Sequence, residues 1–360
     1  MAAKISERST LRVRANSLVL IACVACTDGS DHVAQVASAT GSPSVVPFTE
    51  AYRLDATLTL PDTGRGAIVS VHSLDVGNDG RMLLADSRNH DVAVLDSAGH
   101  STAILGRAGS GPGEFRQPVD ARFLPSGGVV VADVELARIS VFGPDLMFAG
   151  SFSTADQSPR ALTVLDDSTF VISGLLGVGH TNHTLASYHL DGKRVRSFLV
   201  ADSLVFTTNM IVDGTWLTTD GRHLFAGLAI LPTINRLTLG GDSLTTTVDL
   251  PPEWKQLKPQ EHPSLDFAVL RRWISSATLS GPAFARPDGS ILLSMQRTSP
   301  DSTIYSLGLY SPDLTLRRMY TRVPGRPVGV HAGSVYLLID ADDGRSHLNR
   351  YRPIDAHSAN

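Results

Sequence analysis

Asp79-Gly80-Arg81-Met82-Leu83-Leu84-Ala85-Asp86 and Ser126-Gly127-Gly128-Val129-Val130-Val131-Ala132-Asp133 are two copies of one unit, a tight turn followed by a short strand ending in Ala-Asp. A second strand follows each, Val92-Ala93-Val94-Leu95 and Ile139-Ser140-Val141-Phe142. Each of these runs into another turn, at Asp96-Ser97-Ala98-Gly99 and at Gly143-Pro144-Asp145. Short apolar runs bounded by Gly, Asp and Pro are the pattern of short strands joined by tight turns.

Fainter copies continue along the chain. Leu165-Asp166-Asp167-Ser168 leads into Phe170-Val171-Ile172-Ser173, and Thr219-Asp220-Gly221 into His223-Leu224-Phe225-Ala226. Pro287-Asp288-Gly289 leads into Ile291-Leu292-Leu293-Ser294, and Ala332-Gly333 into Val335-Tyr336-Leu337-Leu338. Anchored on their turns, the copies sit at residues 80, 127, 168, 221, 289 and 333, at spacings of 47, 41, 53, 68 and 44. All but one lie near the ~40–50 residues of a four-stranded blade. The fold predicted is therefore all-β, a six-bladed β-propeller of four-stranded antiparallel blades over residues 48–356. The leftover strand Arg53–Leu60 precedes the first copy and is expected to complete the last blade, closing the ring without an unpaired edge. Two β-sandwiches would not give a single repeat period.

Gly106-Arg107-Ala108-Gly109-Ser110-Gly111-Pro112-Gly113-Glu114-Phe115-Arg116-Gln117-Pro118 resembles the inter-blade segment of the NHL-repeat family. Asp86-Ser87-Arg88-Asn89-His90-Asp91-Val92 resembles that family's Ala-Asp…Asn-His-Arg-Ile stretch, with Asp91 where Arg is usual. The second copy keeps the Arg, as Arg138-Ile139. The resemblance covers residues 70–150 and implies a propeller that binds partners, or in some members an enzyme. The Gly-rich segment is not a phosphate loop, since it lacks the closing Gly-Lys-Ser/Thr and Pro118 opens a strand. Its glycines are expected to supply positive φ for a tight crossing.

The 360 residues carry a formal net charge of −4 with interspersed signs, which argues against a nucleic-acid partner. Lys4, Arg8, Arg12 and Arg14 precede the apolar run Leu18–Cys26, after which the chain turns polar. A basic stretch followed by a short apolar run reads as an export signal over residues 1–26, too short to span a bilayer. Leu20-Ile21-Ala22-Cys23 looks like a bacterial lipobox, making Cys23 the expected lipidation site and Cys26 the competitor. The predicted product is a lipoprotein held at the membrane by its lipid alone, periplasmic or on the cell surface. Both cysteines of the chain lie here, so the mature domain has no pair for a disulfide. Residues 27–47, rich in Ser, Ala, Thr, Gly and Pro, read as a flexible tether.

Propeller side chains converge where the innermost strands begin. Those starts are predicted at 70–74, 118–122, 159–163, 212–216, 280–284 and 326–330. Their polar members, and so the candidate ligand-binding residues of the channel mouth, are His72, Asp120, Arg122, Arg160, Asp213 and Arg326, with Arg286 slightly later. A metal site would draw on His72, Asp120 and Asp213, at non-equivalent repeat positions, and would take a divalent cation such as calcium or zinc. Arg160 and Arg326 would suit an anionic ligand. The bland alternative is a solvated rim of mixed charge.

Two local motifs carry less. His180-Thr181-Asn182-His183 reads as a surface loop with no third ligand in view. Asp340-Ala341-Asp342-Asp343-Gly344 echoes a calcium loop, but its Gly comes early and no Glu closes it. The long interval before residue 289 points to an insertion at 251–280. Within it Leu265, Val269 and Trp273 share a helical face. The insertion is read either as a helical flap over a channel mouth or as a seal between blades four and five.

Three functions follow from these readings. The first is a monomeric cell-envelope module that binds a protein or glycan, with no catalytic set and no cofactor. The second is a metal-dependent periplasmic hydrolase or lyase with its site in the central channel. The third is a sensor lipoprotein passing a ligand signal to a partner.

Overall fold

Six antiparallel sheets follow one another along the chain of the computed structural model, which describes residues 43–62, 67–154, 157–176, 183–200, 214–229, 231, 233–239, 243–247, 278–298, 302–340 and 346–354. Blade 1 runs Val71–Val76, Met82–Asp86, Asp91–Leu95 and Ser101–Leu105 from the innermost strand outward. Blade 2 runs Pro118–Phe123, Val129–Asp133, Arg138–Phe142 and Phe148–Ser153, and blade 3 Gln157–Val164, Thr169–Leu176, His183–His189 and Arg194–Val200. Blade 4 comprises Thr215–Thr219, His223–Leu228, Thr233–Thr238 and Ser243–Thr247. Blade 5 comprises Thr278–Ala285, Ile291–Thr298, Thr303–Tyr310 and Leu316–Val323. Blade 6 takes Arg326–His331, Ser334–Asp340 and Ser346–Pro353 from the C-terminal end and Tyr52–Thr59 from the N-terminal end. The chain is a six-bladed propeller, closed as the leftover strand predicted.

The repeated turn has a simple cause. Gly80, Gly127, Gly221, Gly289 and Gly333 occupy positive φ between 78° and 91° in the hairpin that follows each innermost strand. The neighbouring Asp folds back to accept main-chain N–H groups: Asp79 from Arg81 at 3.0 Å, Asp220 from Arg222 at 2.8 Å, and Asp288 from Ser290 at 2.9 Å. Blade 3 has Ser168 where glycine stands elsewhere, and Asp166 accepts from both Ser168 and Thr169. Asp-Gly pairs are therefore the visible marks of one Asx-type turn.

Continuous apolar runs are explained by two-sided burial. In blade 1, Met82 and Leu84 pack toward Leu58, Leu338 and Leu348 of blade 6. Alternating with them, Leu83 and Ala85 pack toward Ala121, Val129 and Val131 of blade 2. The run Met82–Ala85 thus serves two inter-blade cores, which is why it is apolar at successive positions.

The Ala-Asp ending is structural too. Asp133 is fully buried; its carboxylate accepts from the N–H groups of Arg116 at 2.7 Å, Gln117 at 3.2 Å and Leu136 at 2.9 Å. Asp86 plays the same part toward Ser70, Arg88 and Asn89. Each Asp ties the turn after its strand to the segment entering the innermost strand. Arg138 holds the Gly-rich crossing by donating to the carbonyl of Ser110 at 2.9 Å and to that of Glu114. Within that crossing the amide of Gly111 is taken by the Glu114 carboxylate at 2.8 Å, which in turn meets Arg107. Positive φ at Gly106, Gly109 and Gly113 agrees with the expected role of these glycines.

One element was not expected. Ser44–Pro47, inside the stretch read as a tether, pairs in parallel with Arg318–Thr321 and adds a fifth strand to blade 5. A four-residue helical turn, Phe48–Ala51, carries the chain from there to its closing strand in blade 6. Phe48 is fully buried against Tyr52 and Tyr351, and Tyr52 meets Tyr320 edge-on, so an aromatic cluster fills the junction of blades 5 and 6. The sheet therefore starts at Ser44, four residues earlier than the predicted boundary. Of the insertion expected at 251–280, residues 251–277 lie outside the described residues, while 278–280 begin the innermost strand of blade 5.

Candidate functional site

The innermost strands share one irregularity. The register against the neighbouring strand slips between Val71 and Ser73, Pro118 and Asp120, Pro159 and Ala161, Ser280 and Ala283, and Pro327 and Gly329. The register skips His72, Val119, Arg160, Gly281-Pro282 and Val328. Every one of them lines a single cavity of about 290 Å³ at the inner ends of the blades. A bulge re-aims its extra residue, and here five of six blades aim theirs into one mouth. Proline precedes the bulged residue in blades 2, 3 and 6, where its missing N–H costs no ladder bond.

Beneath this mouth the channel is crossed by Arg122. Its Nε donates to the Leu162 carbonyl of blade 3 at 3.1 Å, and its Nη1 to the Leu74 carbonyl of blade 1 at 3.3 Å. Nη2 donates to Asp120 at 3.2 Å, and Asp75 of blade 1 stands 3.6 Å from Nη1. Asp120 also accepts from the Leu162 N–H at 2.8 Å, and Asp75 from the Phe123 N–H at 2.8 Å. Burial pushes the Asp120 carboxyl up, against the pull of Arg122 and the Leu162 amide. Burial likewise opposes the charge on Arg122, but Asp120 and Asp75 outweigh it and raise its pKa. Arg122, Leu217 and Phe284 line both this cavity and a second one of about 260 Å³ on the far side. The guanidinium thus forms part of a floor: the upper cavity is a cup.

The structure brings four predicted residues together at this cup: His72, Asp120, Arg122 and Arg160. His72 is exposed, Arg160 half-buried, and Asp120, 2% exposed, belongs to the floor. Arg326 does not line it; its guanidinium donates to the Val71 carbonyl at 2.5 Å and joins blade 6 to blade 1. Arg286 lies in the turn after the innermost strand of blade 5, where its main chain bonds Ser290. Asp213, His180 and the turn at 341–344 fall outside the described residues. Among the described residues no three His, Cys, Asp or Glu side chains gather as a metal set, and no helix is long and apolar enough to cross a membrane.

Sequence reasoning did not single out Trp216, Phe284 and Gln296, which also line the cup. Trp216 is 3% exposed and packs against two glycines. A Cβ on Gly227 would stand 2.3 Å from its ring, and one on Gly281 likewise 2.3 Å. A glycine inside a strand marks such a close approach, and Gly227 sits inside His223–Leu228. That was the available signal.

No protein-family profile matches the chain, and no curated protein matches it. Solved structures do match. A "Putative exported protein" from Bacteroides fragilis aligns at a TM-score of 0.63 and 14% identity, over 86% of this chain and 97% of the other. A member of the DUF4221 family from Bacteroides vulgatus aligns at 0.63 and 11%, over 85% and 98%. Virginiamycin B lyase from Staphylococcus aureus aligns at 0.51 and 11%, over 84% and 100%. At such identities the likeness is one of fold.

Proposed function

We propose that the chain is a cell-envelope binding module that receives a small polar ligand, presented by a protein or glycan, in the cup ringed by the blade bulges. The observation that carries this reading is the division of labour in the channel. The charges of the floor are spent on one another, Arg122 against Asp120 and Asp75, while the bulge ring turns His72 and Arg160 into the mouth beside Trp216, Phe284 and Gln296. A concave site with a few placed polar groups among rings and apolar walls suits recognition. An arginine and a histidine in the lining suit a ligand rich in acceptor oxygens.

The address in this proposal comes from the sequence. The basic and apolar start of the chain exports it, and Cys23, or else Cys26, carries the lipid. Kinship with the NHL repeats rests on residues 70–150, whose motif residues Asp86, Asp133 and Arg138 hold the blades together. The likeness to an exported Bacteroides protein is compatible with this address.

The test is a titration of purified full-length protein with envelope glycans and with small carboxylates and phosphates, followed by tryptophan fluorescence and calorimetry. His72→Ala and Arg160→Ala should each weaken binding by about tenfold or more, with an unchanged melting temperature. Binding that ignores both substitutions would remove the cup from the proposal. The lyase reading rests on fold likeness alone. A tightly held divalent ion, with a melt that drops on chelation, would revive it.

A further inference from the structure

The Arg122 guanidinium sits in a cage of oxygens drawn from three blades. Blade 1 contributes the Leu74 carbonyl and Asp75, blade 2 the Asp120 carboxylate, and blade 3 the Leu162 carbonyl. Two carboxylates face one guanidinium, so the cage has a formal charge of −1 with its arginine in place. Asp120 is almost wholly buried, yet its Oδ1, 3.1 Å from Nη2, accepts no aligned hydrogen bond. Nitrogen and sulfur ligands are not among these partners. Carboxylates and backbone carbonyls are the donors that hard cations take.

We infer that Arg122 is a tethered cation filling an oxygen-lined cation site at the waist of the channel, and that removing its side chain opens that site to a free divalent cation. Calcium fits better than magnesium. It accepts six to eight oxygens in adaptable geometry and tolerates carboxylates converging from separate blades, whereas magnesium demands a near-ideal octahedron at about 2.0–2.1 Å. A tethered charge also keeps blades 1, 2 and 3 joined at any ion concentration, which a dissociable metal would not. The inference is independent of what occupies the cup above, so its failure would leave the binding reading standing.

The experiment compares melts of the full chain as wild type, Arg122→Ala, and Arg122→Ala combined with Asp120→Asn, each in chelator, in millimolar calcium and in millimolar magnesium. The wild type should melt alike in all three. Arg122→Ala should melt roughly 5–10 °C lower in chelator, because it leaves the buried Asp120 and the half-buried Asp75 without their cation. Calcium should restore more than half of that loss, saturably and reversibly, and magnesium less. The double variant should not respond. An unshifted melt for Arg122→Ala, a lowered melt indifferent to calcium, or equal rescue of the double variant would each overturn the inference. If Arg122→Ala does not fold in chelator, refolding from urea with and without calcium replaces the melt. A yield that calcium leaves unchanged would then count against the site.

Discussion

Single residues of this propeller divide into those that hold the repeat together and those that face the channel. Asp133 belongs to the first kind, with three main-chain N–H groups depending on its carboxylate. Asp133→Ala should cost about 2–4 kcal/mol in urea unfolding, as expected when buried donors lose their acceptor. The turn carboxylates offer a test in pH. Hydrogen bonds from the hydroxyls of Ser168, Ser290 and Ser311 hold Asp166, Asp288 and Asp313 below the ordinary carboxylate value. A depressed folded pKa gives stability that is complete above the unfolded value, near 4, and is lost as pH falls through the folded one. Ser290→Ala should therefore be less stable than wild type at pH 7, with the gap closing below about pH 4. A gap that persists to pH 2 would assign the loss to packing instead. Asp120 runs the other way, since its raised pKa weakens its contribution as pH climbs from the ordinary value through the folded one.

At the scale of elements, the inter-blade crossing should be intolerant of side chains. Gly106 has φ of 80°, and a Cβ there would stand 2.3 Å from the Phe115 ring, itself fully buried. Gly106→Ala should destabilise by about 2–4 kcal/mol, whereas Gly221→Ala, at a φ of 83° and in open space, should cost only about 1–2 kcal/mol of backbone strain. Paired melts decide whether the clash or the dihedral dominates. These turns were also what made the fold legible. Asp-Gly pairs and apolar runs are local signals, and they located all six blades even where the rest of the repeat had faded. Ser44–Pro47 gave no such signal, because a short parallel edge strand of Ser, Val and Pro takes its meaning from Arg318–Thr321, far away in sequence. The cup was half legible for the same reason. His72 and Arg160 follow from aligning the strand starts, and Pro118, Pro159 and Pro327 mark bulges once these are known. That Arg326 turns to Val71, and that Asp75 joins Arg122, depends on contacts between blades that no alignment of repeats displays.

For the whole molecule, the decisive feature is that strands from the two ends of the propeller's sequence meet in blade 6. Tyr52–Thr59 pairs along its length with Ser346–Pro353, and Asp55, in a bulge of the closing strand, receives Arg350 at 2.6 Å and Arg352 at 3.1 Å. Two truncations should behave differently. Removing residues through Pro47 takes away the parallel strand of blade 5 and should lower the melting temperature while unfolding stays cooperative. Removing residues through Thr59 also deletes Phe48 and the closing strand, and should abolish the single cooperative transition seen by calorimetry. Equal behaviour of the two would mean that the ring does not depend on its latch.

The same latch sets a timetable for biosynthesis. Tyr52–Thr59 is among the first segments of the domain to be made, and its partner Ser346–Pro353 the last. At ~5–20 residues per second, the early strand waits on the order of tens of seconds with no strand to pair with. Blades 1 to 5 can form their hairpins in sequence during that interval, since each draws its four antiparallel strands from one contiguous stretch. The sixth cannot, and a chain released before Ser346 would carry an open edge on each side of the gap, ready to pair with another unfinished chain. The last strand of the propeller to be made therefore decides whether its first strand was placed correctly.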